Sequence, residues 1–193
     1  MKITIACSKG GSAKTTTAIM LATAMAAAGH RVEVWDADPQ GDATDWAETA
    51  EEHASPLPFS VISVNRRTVR RPVPAGVDYV LIDTNPHTPD VVQAAIDTAD
   101  FVIVPTTPSK RDMGRVWMTL ETAADRPHRV LVCRADSREI PTRETLKALD
   151  EYGAPRFSKI ITKAIDLVKD SDRMPRSTYG YDEVYVELEK HLG

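Results

Sequence analysis

Cysteine is scarce in this 193-residue chain: Cys7 and Cys133 stand far apart, each in an apolar run. That excludes a disulfide framework. Without a C-x-x-C pair, it also excludes the usual zinc and iron–sulfur ligand sets. Long apolar runs are missing as well, and none approaches the roughly 18–20 residues of a membrane-spanning helix. Met1 leads straight into the strand-like Ile3–Ala6, with no signal-peptide pattern, so a cytoplasmic protein is expected. Neither sign of charge dominates: 24 Lys and Arg stand against 28 Asp and Glu, a net charge of −4. A chain so balanced does not coat nucleic acid with its whole surface. No repeat or low-complexity stretch is present.

What is present suits a soluble α/β domain. The chain is 42% hydrophobic and 27% charged, and its length fits one domain over residues 1–193 with a full core. The charge is unevenly spread. Residues 33–55 hold eight acids and no Lys or Arg, residues 156–176 hold six Lys or Arg against three Asp, and residues 66–71 hold four arginines. A local basic face on an acidic protein is therefore available. The stretch 65–76, with two prolines, reads as a polar connection, a solvated loop or a contact surface for DNA or a partner.

Short apolar runs rich in Val and Ile recur at Ile3–Cys7, Val32–Trp35, Phe59–Val64, Tyr79–Ile82, Phe101–Val104 and Val130–Cys133. They have the pattern of buried parallel strands. Helical segments alternate with them: Thr16–Ala28 ending at Gly29, Thr44–His53, Pro89–Thr98, Met113–Ala124, Thr142–Tyr152 and Tyr181–Leu192. Asp42 is the expected cap of the second helix and Thr142 of the fifth. Strand alternating with helix predicts a mostly parallel twisted sheet covered on both faces.

The strongest local signal is Ser8-Lys9-Gly10-Gly11-Ser12-Ala13-Lys14-Thr15-Thr16, between the first strand and the first helix. Backbone N–H groups that curl around an anion at a helix N-terminus make a phosphate cradle. Lys14 is placed to reach the β- and γ-phosphates, and the Thr15 hydroxyl to ligate Mg²⁺. The standard G-x-x-x-x-G-K-[ST] pattern is not met, because Ser8 and Ala13 occupy its glycine positions.

Lys9-Gly10-Gly11 with Lys14-Thr15-Thr16 resembles the deviant Walker A motif, K-G-G-x-x-K-T-T, of the ParA/MinD family of dimeric ATPases. The resemblance implies a P-loop ATPase fold, ATP/ADP and Mg²⁺ as ligands, and an ATP-bound homodimer. In that family the first lysine crosses to the partner subunit's nucleotide, and Lys9 holds that position. Ala13 stands where most relatives carry glycine. If the backbone there takes a positive φ, its Cβ costs ~1 kcal/mol.

Asp36-Ala37-Asp38-Pro39-Gln40-Gly41-Asp42-Ala43-Thr44 follows the second strand and resembles the family's D-x-D-P-Q-G-N-A-T. Ligands of α/β sheets lie beyond the carboxyl ends of strands. The likeness implies that Asp38 positions the attacking water and that Asp36 supports the magnesium shell. Acids over a triphosphate repel it unless a metal intervenes, which itself points to Mg²⁺. A helix-capping acidic turn is the plainer alternative, and suits Asp42 and Asp45 better. Asp78–Thr84 reads as a Walker B pattern, an apolar strand and then Asp83, which is expected to hold Mg²⁺ through water. Relatives continue T-P-P, whereas this chain has Asn85-Pro86-His87 in the switch-like segment, where hydrolysis rate or coupling can change. His87 as a general base is disfavoured, because phosphoryl transfer relies on positioning and charge. Phe101–Ser109 resembles the strand that leads toward the dimer face. Cys133 replaces the asparagine that reads adenine in many relatives and reads as buried rather than nucleophilic. Arg134 is a candidate to cover the base.

The absent N-terminal extension looks like the small partition type of this family. The tail 181–190 carries four acids and one lysine, which disfavours an anionic membrane surface. The resemblance implies slow ATP hydrolysis, stimulation by a ParB/ParG-like cargo adaptor, non-specific DNA binding and nucleoid association in the ATP state. Lys159, Lys163, Lys169, Arg173 and Arg176 are the DNA candidates, with Arg143 and Arg156 nearby; a solvated mixed-charge surface is the plainer reading. The alternatives are a P-loop enzyme acting on a small molecule, and a nucleotide-dependent adaptor with impaired hydrolysis.

Overall fold

The six apolar runs become six parallel strands because Val- and Ile-rich runs suit burial between helical layers. In the computed structural model, which describes residues 1–109, 113–163 and 173–192, these are β1 (Lys2–Ile5), β2 (Val32–Ala37), β3 (Ser60–Ser63), β4 (Tyr79–Thr84), β5 (Phe101–Thr106) and β6 (His128–Val132). The sheet order is β3-β2-β4-β1-β5-β6. The described helices are α1 (Lys14–Ala27), α2 (Asp42–Glu52), α3 (Pro89–Asp97), α4 (Met113–Thr122), α5 (Ile140–Glu151) and α6 (Tyr181–Leu192). The α/β architecture with helices on both faces matches the expectation.

Alternation along the strands divides the core. Ile3, Ile5, Leu81, Phe101 and Ile103 face one layer, with Ile19 and Met20 of α1, Trp46 of α2 and Leu188 of α6. Their neighbours turn the other way. Val102, Val104, Val130 and Val132 meet Val116 of α4 and Leu149 of α5, while Trp35, Val80 and Ile82 meet Ala94 and Ala95 of α3. Fully burying one such side chain contributes about 1.5–3 kcal/mol, so two covered faces supply most of the gain.

Helix α1 is buried from Thr17 through Met25, and its polar groups are satisfied internally. The Thr17 hydroxyl lies 3.1 Å from the Tyr181 hydroxyl of α6, and Thr23 Oγ1 donates to the Ile19 carbonyl at 2.8 Å. The helix stops at Gly29, φ 93°. There the His30 N–H reaches the Met25 carbonyl and the Gly29 N–H reaches that of Ala26, closing the end in a Schellman arrangement.

Three expectations are corrected. Strand β3 is an edge strand with mostly exposed side chains, not a buried one. Helix α5 begins at Ile140 with Pro141 in its first turn, and Thr142 is buried inside the helix rather than capping it. Helix α2 begins at Asp42 behind Gly41, φ 78°, and its cap comes from Asp36.

Candidate functional site

Three loops converge beyond the carboxyl ends of β1, β2 and β4. A cavity of ≈ 310 Å³ is lined by Gly10, Gly11, Ala13, Lys14, Thr15 and Thr16 from the first loop. Asp38, Gln40 and Asp42 from the second, Asn85, Pro86 and His87 from the third, and Arg134 after β6 complete it. The phosphate loop from Lys9 to Thr16, apart from Lys9 and Ser12, thus shares one cavity with Arg134. Gln40, Asp42, Pro86 and His87 were not foreseen as lining residues. Only their place two to five residues beyond a strand end signalled them.

The first loop is stiffened by its own side chains. Ser12 Oγ donates to the Lys9 carbonyl at 3.1 Å, and Lys14 Nζ donates to the same carbonyl at 3.1 Å. Arg115 Nη1 of α4 holds the Ser8 carbonyl at 2.7 Å. Ala13 sits at φ 71°, ψ 30°, so the left-handed turn is made with a Cβ in place, at a cost of about 1–2 kcal/mol. Its carbonyl accepts the Thr17 N–H that opens α1. Lys9 is not among the cavity's lining residues.

Asp83 is fully buried at the end of β4. Thr15 Oγ1 donates to its Oδ2 at 2.6 Å, while its Oδ1 is buried with no partner among the described residues. Burial, then the charges of Asp36 and Asp38, push its carboxyl up to about 7 against the Thr15 bond. Burial lowers the ammonium of Lys14, and Asp83 opposes that shift most. An orphaned carboxylate oxygen and a threonine hydroxyl in an acidic recess are hard oxygen donors suited to Mg²⁺. Among the described residues no group of three or more His, Cys, Asp or Glu side chains is disposed to hold a metal by itself. A magnesium here therefore needs phosphate oxygens and water to complete its shell.

Asp36, expected in that shell and at the nucleotide, is spent on its own loop. Its Oδ1 accepts the Asp38 N–H at 3.1 Å. Its Oδ2 accepts the Thr44 N–H at 2.9 Å and the Thr44 hydroxyl at 2.7 Å. It is 1% exposed and caps α2, the role expected of Asp42 or Asp45. Asp38 is held in turn: its Oδ1 accepts the Gln40 N–H at 2.8 Å and Asn85 Nδ2 at 2.5 Å. Asn85 Oδ1 accepts the His87 N–H at 2.7 Å. Asn85 thus ties the second loop to the third. No sequence pattern showed this bond, because it joins residues 47 positions apart.

Cys133 is buried, and burial pushes its thiol up to about 12, which rules out a thiolate nucleophile at neutral pH. Among the DNA candidates, Lys159 pairs with Glu183 and Lys163 Nζ lies 3.4 Å from Glu139. Arg173 is half-buried, and its carbonyl accepts Trp46 Nε1 of α2 at 3.0 Å. Arg176 is exposed and engaged in an interaction of its own. Lys169 lies outside the described residues. Arg156 pairs with Asp150 at 2.8 Å, and Arg143 donates to the Arg138 carbonyl at 3.0 Å. No described helix is long and apolar enough to cross a membrane.

Comparison with known proteins identifies the family and the fold. The chain is 37% identical over 161 residues to the maintenance of carboxysome distribution protein A of Gloeobacter kilaueensis, spanning 79% of this chain and 72% of that one. Its fold superposes on apo McdA of Cyanthece with a TM-score of 0.78 and 19% identity, covering 100% of this chain and 99% of that one. It also superposes on cobyrinic acid a,c-diamide synthase of Mycobacterium smegmatis bound to an ATP analogue and magnesium. There the TM-score is 0.75 and the identity 22%, over 98% and 94% of the two chains. Residues 3–175 match the CobQ/CobB/MinD/ParA nucleotide binding domain, and the chain belongs to that family.

Proposed function

We propose that residues 1–193 act as one partition- or positioning-type ATPase that closes into an ATP-bound dimer, binds duplex DNA without sequence preference and moves a cargo. The observation that carries this reading is the division of labour between two lysines of one loop. Lys14 lines its own cavity while Lys9 does not, which suits a side chain meant for a second subunit's phosphates. The relative named for carboxysome distribution supports cargo positioning over small-molecule synthesis. The stimulating partner is an adaptor protein on the cargo, and nucleoid association follows from DNA binding in the ATP state.

In this reading the N–H groups of Gly10 to Thr16 cradle the phosphates of ATP. Lys14 exchanges the Lys9 carbonyl for a phosphate oxygen. Thr15 and Asp83 are the residues that would hold magnesium, which would supply neutralisation of the phosphate charge. Asp38 orients the attacking water. One of its oxygens is fixed by Gln40 and Asn85, and the other has no hydrogen bond among the described residues and can accept the proton. Arg134 covers the base.

Lys9→Ala tests the shared site. Turnover falls on the order of 10²-fold or more, as for loss of a trans-acting cation, while affinity for ATP measured on a fluorescent analogue stays within about threefold. Unchanged turnover contradicts the dimeric mechanism. Turnover that requires an added small molecule assigns the chain to a synthase-like chemistry instead.

A further inference from the structure

The connection between β3 and β4 was open to two readings, a solvated loop or a contact surface. The structure shows a pinned turn. The Asn65 N–H donates to Thr68 Oγ1 at 2.8 Å, and Asn65 Oδ1 accepts the Arg67 and Thr68 N–H groups at 2.9 and 3.1 Å. This reciprocal cap launches a 3₁₀ turn over Thr68–Arg70. Val69 is fully buried beneath it among Trp35, Val80 and Ala94. Lys2 Nζ donates to the Val69 carbonyl at 2.9 Å. Four arginines, Arg66, Arg67, Arg70 and Arg71, stand exposed on this anchored turn. Three of them with Asn65 line a shallow groove of ≈ 560 Å³.

Their charge is not cancelled. Arg66 lies 3.8 Å from Asp90 in the first turn of α3, and Arg70 lies 3.0 Å from Asp97 in its last. Arg67 and Arg71 form no ion pair among the described residues. Two of four positive charges thus remain unmatched on a chain whose net charge is −4. The candidate lysines Lys159 and Lys163, by contrast, each face a glutamate.

We propose that this arginine turn is the duplex-DNA contact surface, an assignment that rests on the DNA-binding reading above and relocates its site. Guanidinium groups grip phosphate bidentately. Arg67 and Arg71, without carboxylate partners among the described residues, are the two guanidinium groups available to phosphate. The turn itself offers no apolar anchor, since Val69 points inward, whereas protein interfaces centre on buried aromatic and aliphatic anchors. The turn is also linked to the nucleotide pocket. Asn85, which holds Asp38, begins the short loop into α3, and α3 carries Asp90.

The test is binding of a fluorescent random-sequence duplex in Mg²⁺ with ATP, across a salt series. Wild type, Arg67→Ala/Arg71→Ala and Lys159→Ala/Lys163→Ala are compared. The arginines removed have no described partner, so folding and basal ATP turnover stay at wild-type values. The arginine variant binds at least about tenfold more weakly, and its log–log salt slope falls by about 2, near 0.9 per lost phosphate contact. The lysine variant binds as wild type does. If wild type binds and the arginine variant matches it, the surface is wrong and the DNA-binding reading stands. If wild type binds no duplex in any nucleotide state, both fall. If the arginine variant keeps DNA but loses binding to polyglutamate, the turn serves an acidic protein and the proposal is overturned.

Discussion

Asn85 lies in the segment that departs from the resembled family's T-P-P, and its side-chain amide supplies a donor to Asp38. The 2.5 Å bond from Asn85 Nδ2 fixes one carboxylate oxygen, and the 2.7 Å bond to the His87 N–H fixes the amide in turn. Within the proposed reaction, Asn85→Ala lowers kcat about tenfold with little change in the KM for ATP, the signature of lost positioning rather than lost binding. Steady-state kinetics check this, and a raised KM at unchanged kcat contradicts it. Asp83 shows the opposite economy. A buried carboxylate with an orphaned oxygen is costly to the ligand-free fold, so Asp83→Asn raises its thermal midpoint by about 2–4 °C. The same change removes the magnesium dependence of nucleotide affinity. Calorimetry in EDTA and a titration with and without Mg²⁺ check the two halves, and an unchanged or lower midpoint counts against the account.

At the scale of elements, the strands were legible because short Val/Ile runs declare burial on both faces, and α1 because Gly29 closes it as expected. What escaped the sequence was decided by distant partners. The exposure of β3 follows from its place at the sheet edge. The cap of α2 depends on where Thr44 lies relative to Asp36, eight residues earlier. The lysines at 159 and 163 lose their free charge to glutamates 24 residues away in each case. Strand ends are tied by similar non-local pairs. The Arg31 N–H and guanidinium both donate to Asp78 ahead of β4, and these bonds hold its carboxyl down to about 2 from 3.8. A folded value below the unfolded one means stability present above about pH 4 and lost as pH falls towards 2. The gap in urea midpoint between wild type and Asp78→Asn therefore closes from about pH 5 downward; a gap independent of pH shows that the carboxylate's charge is not what acts.

Taken whole, the molecule is an acidic α/β protein with the cavity of its phosphate loop at one end of a parallel sheet. One concentrated basic turn lies beside α3. The loop after β1 and the acids at the ends of β2 and β4 were legible as strand-end positions because the apolar runs mark where each strand stops. The charge map was not, because it depends on which cations find carboxylates in three dimensions. The central claim is that nucleotide state governs DNA affinity. Its most direct measurement is binding to random-sequence duplex in Mg²⁺ at fixed moderate salt with ATP, ADP or no nucleotide, using Asp38→Ala to trap the ATP state. The account predicts binding with ATP alone, prolonged in Asp38→Ala and weakened by added salt. Equal binding in all three states, or none in any while ATP is still bound, would contradict it.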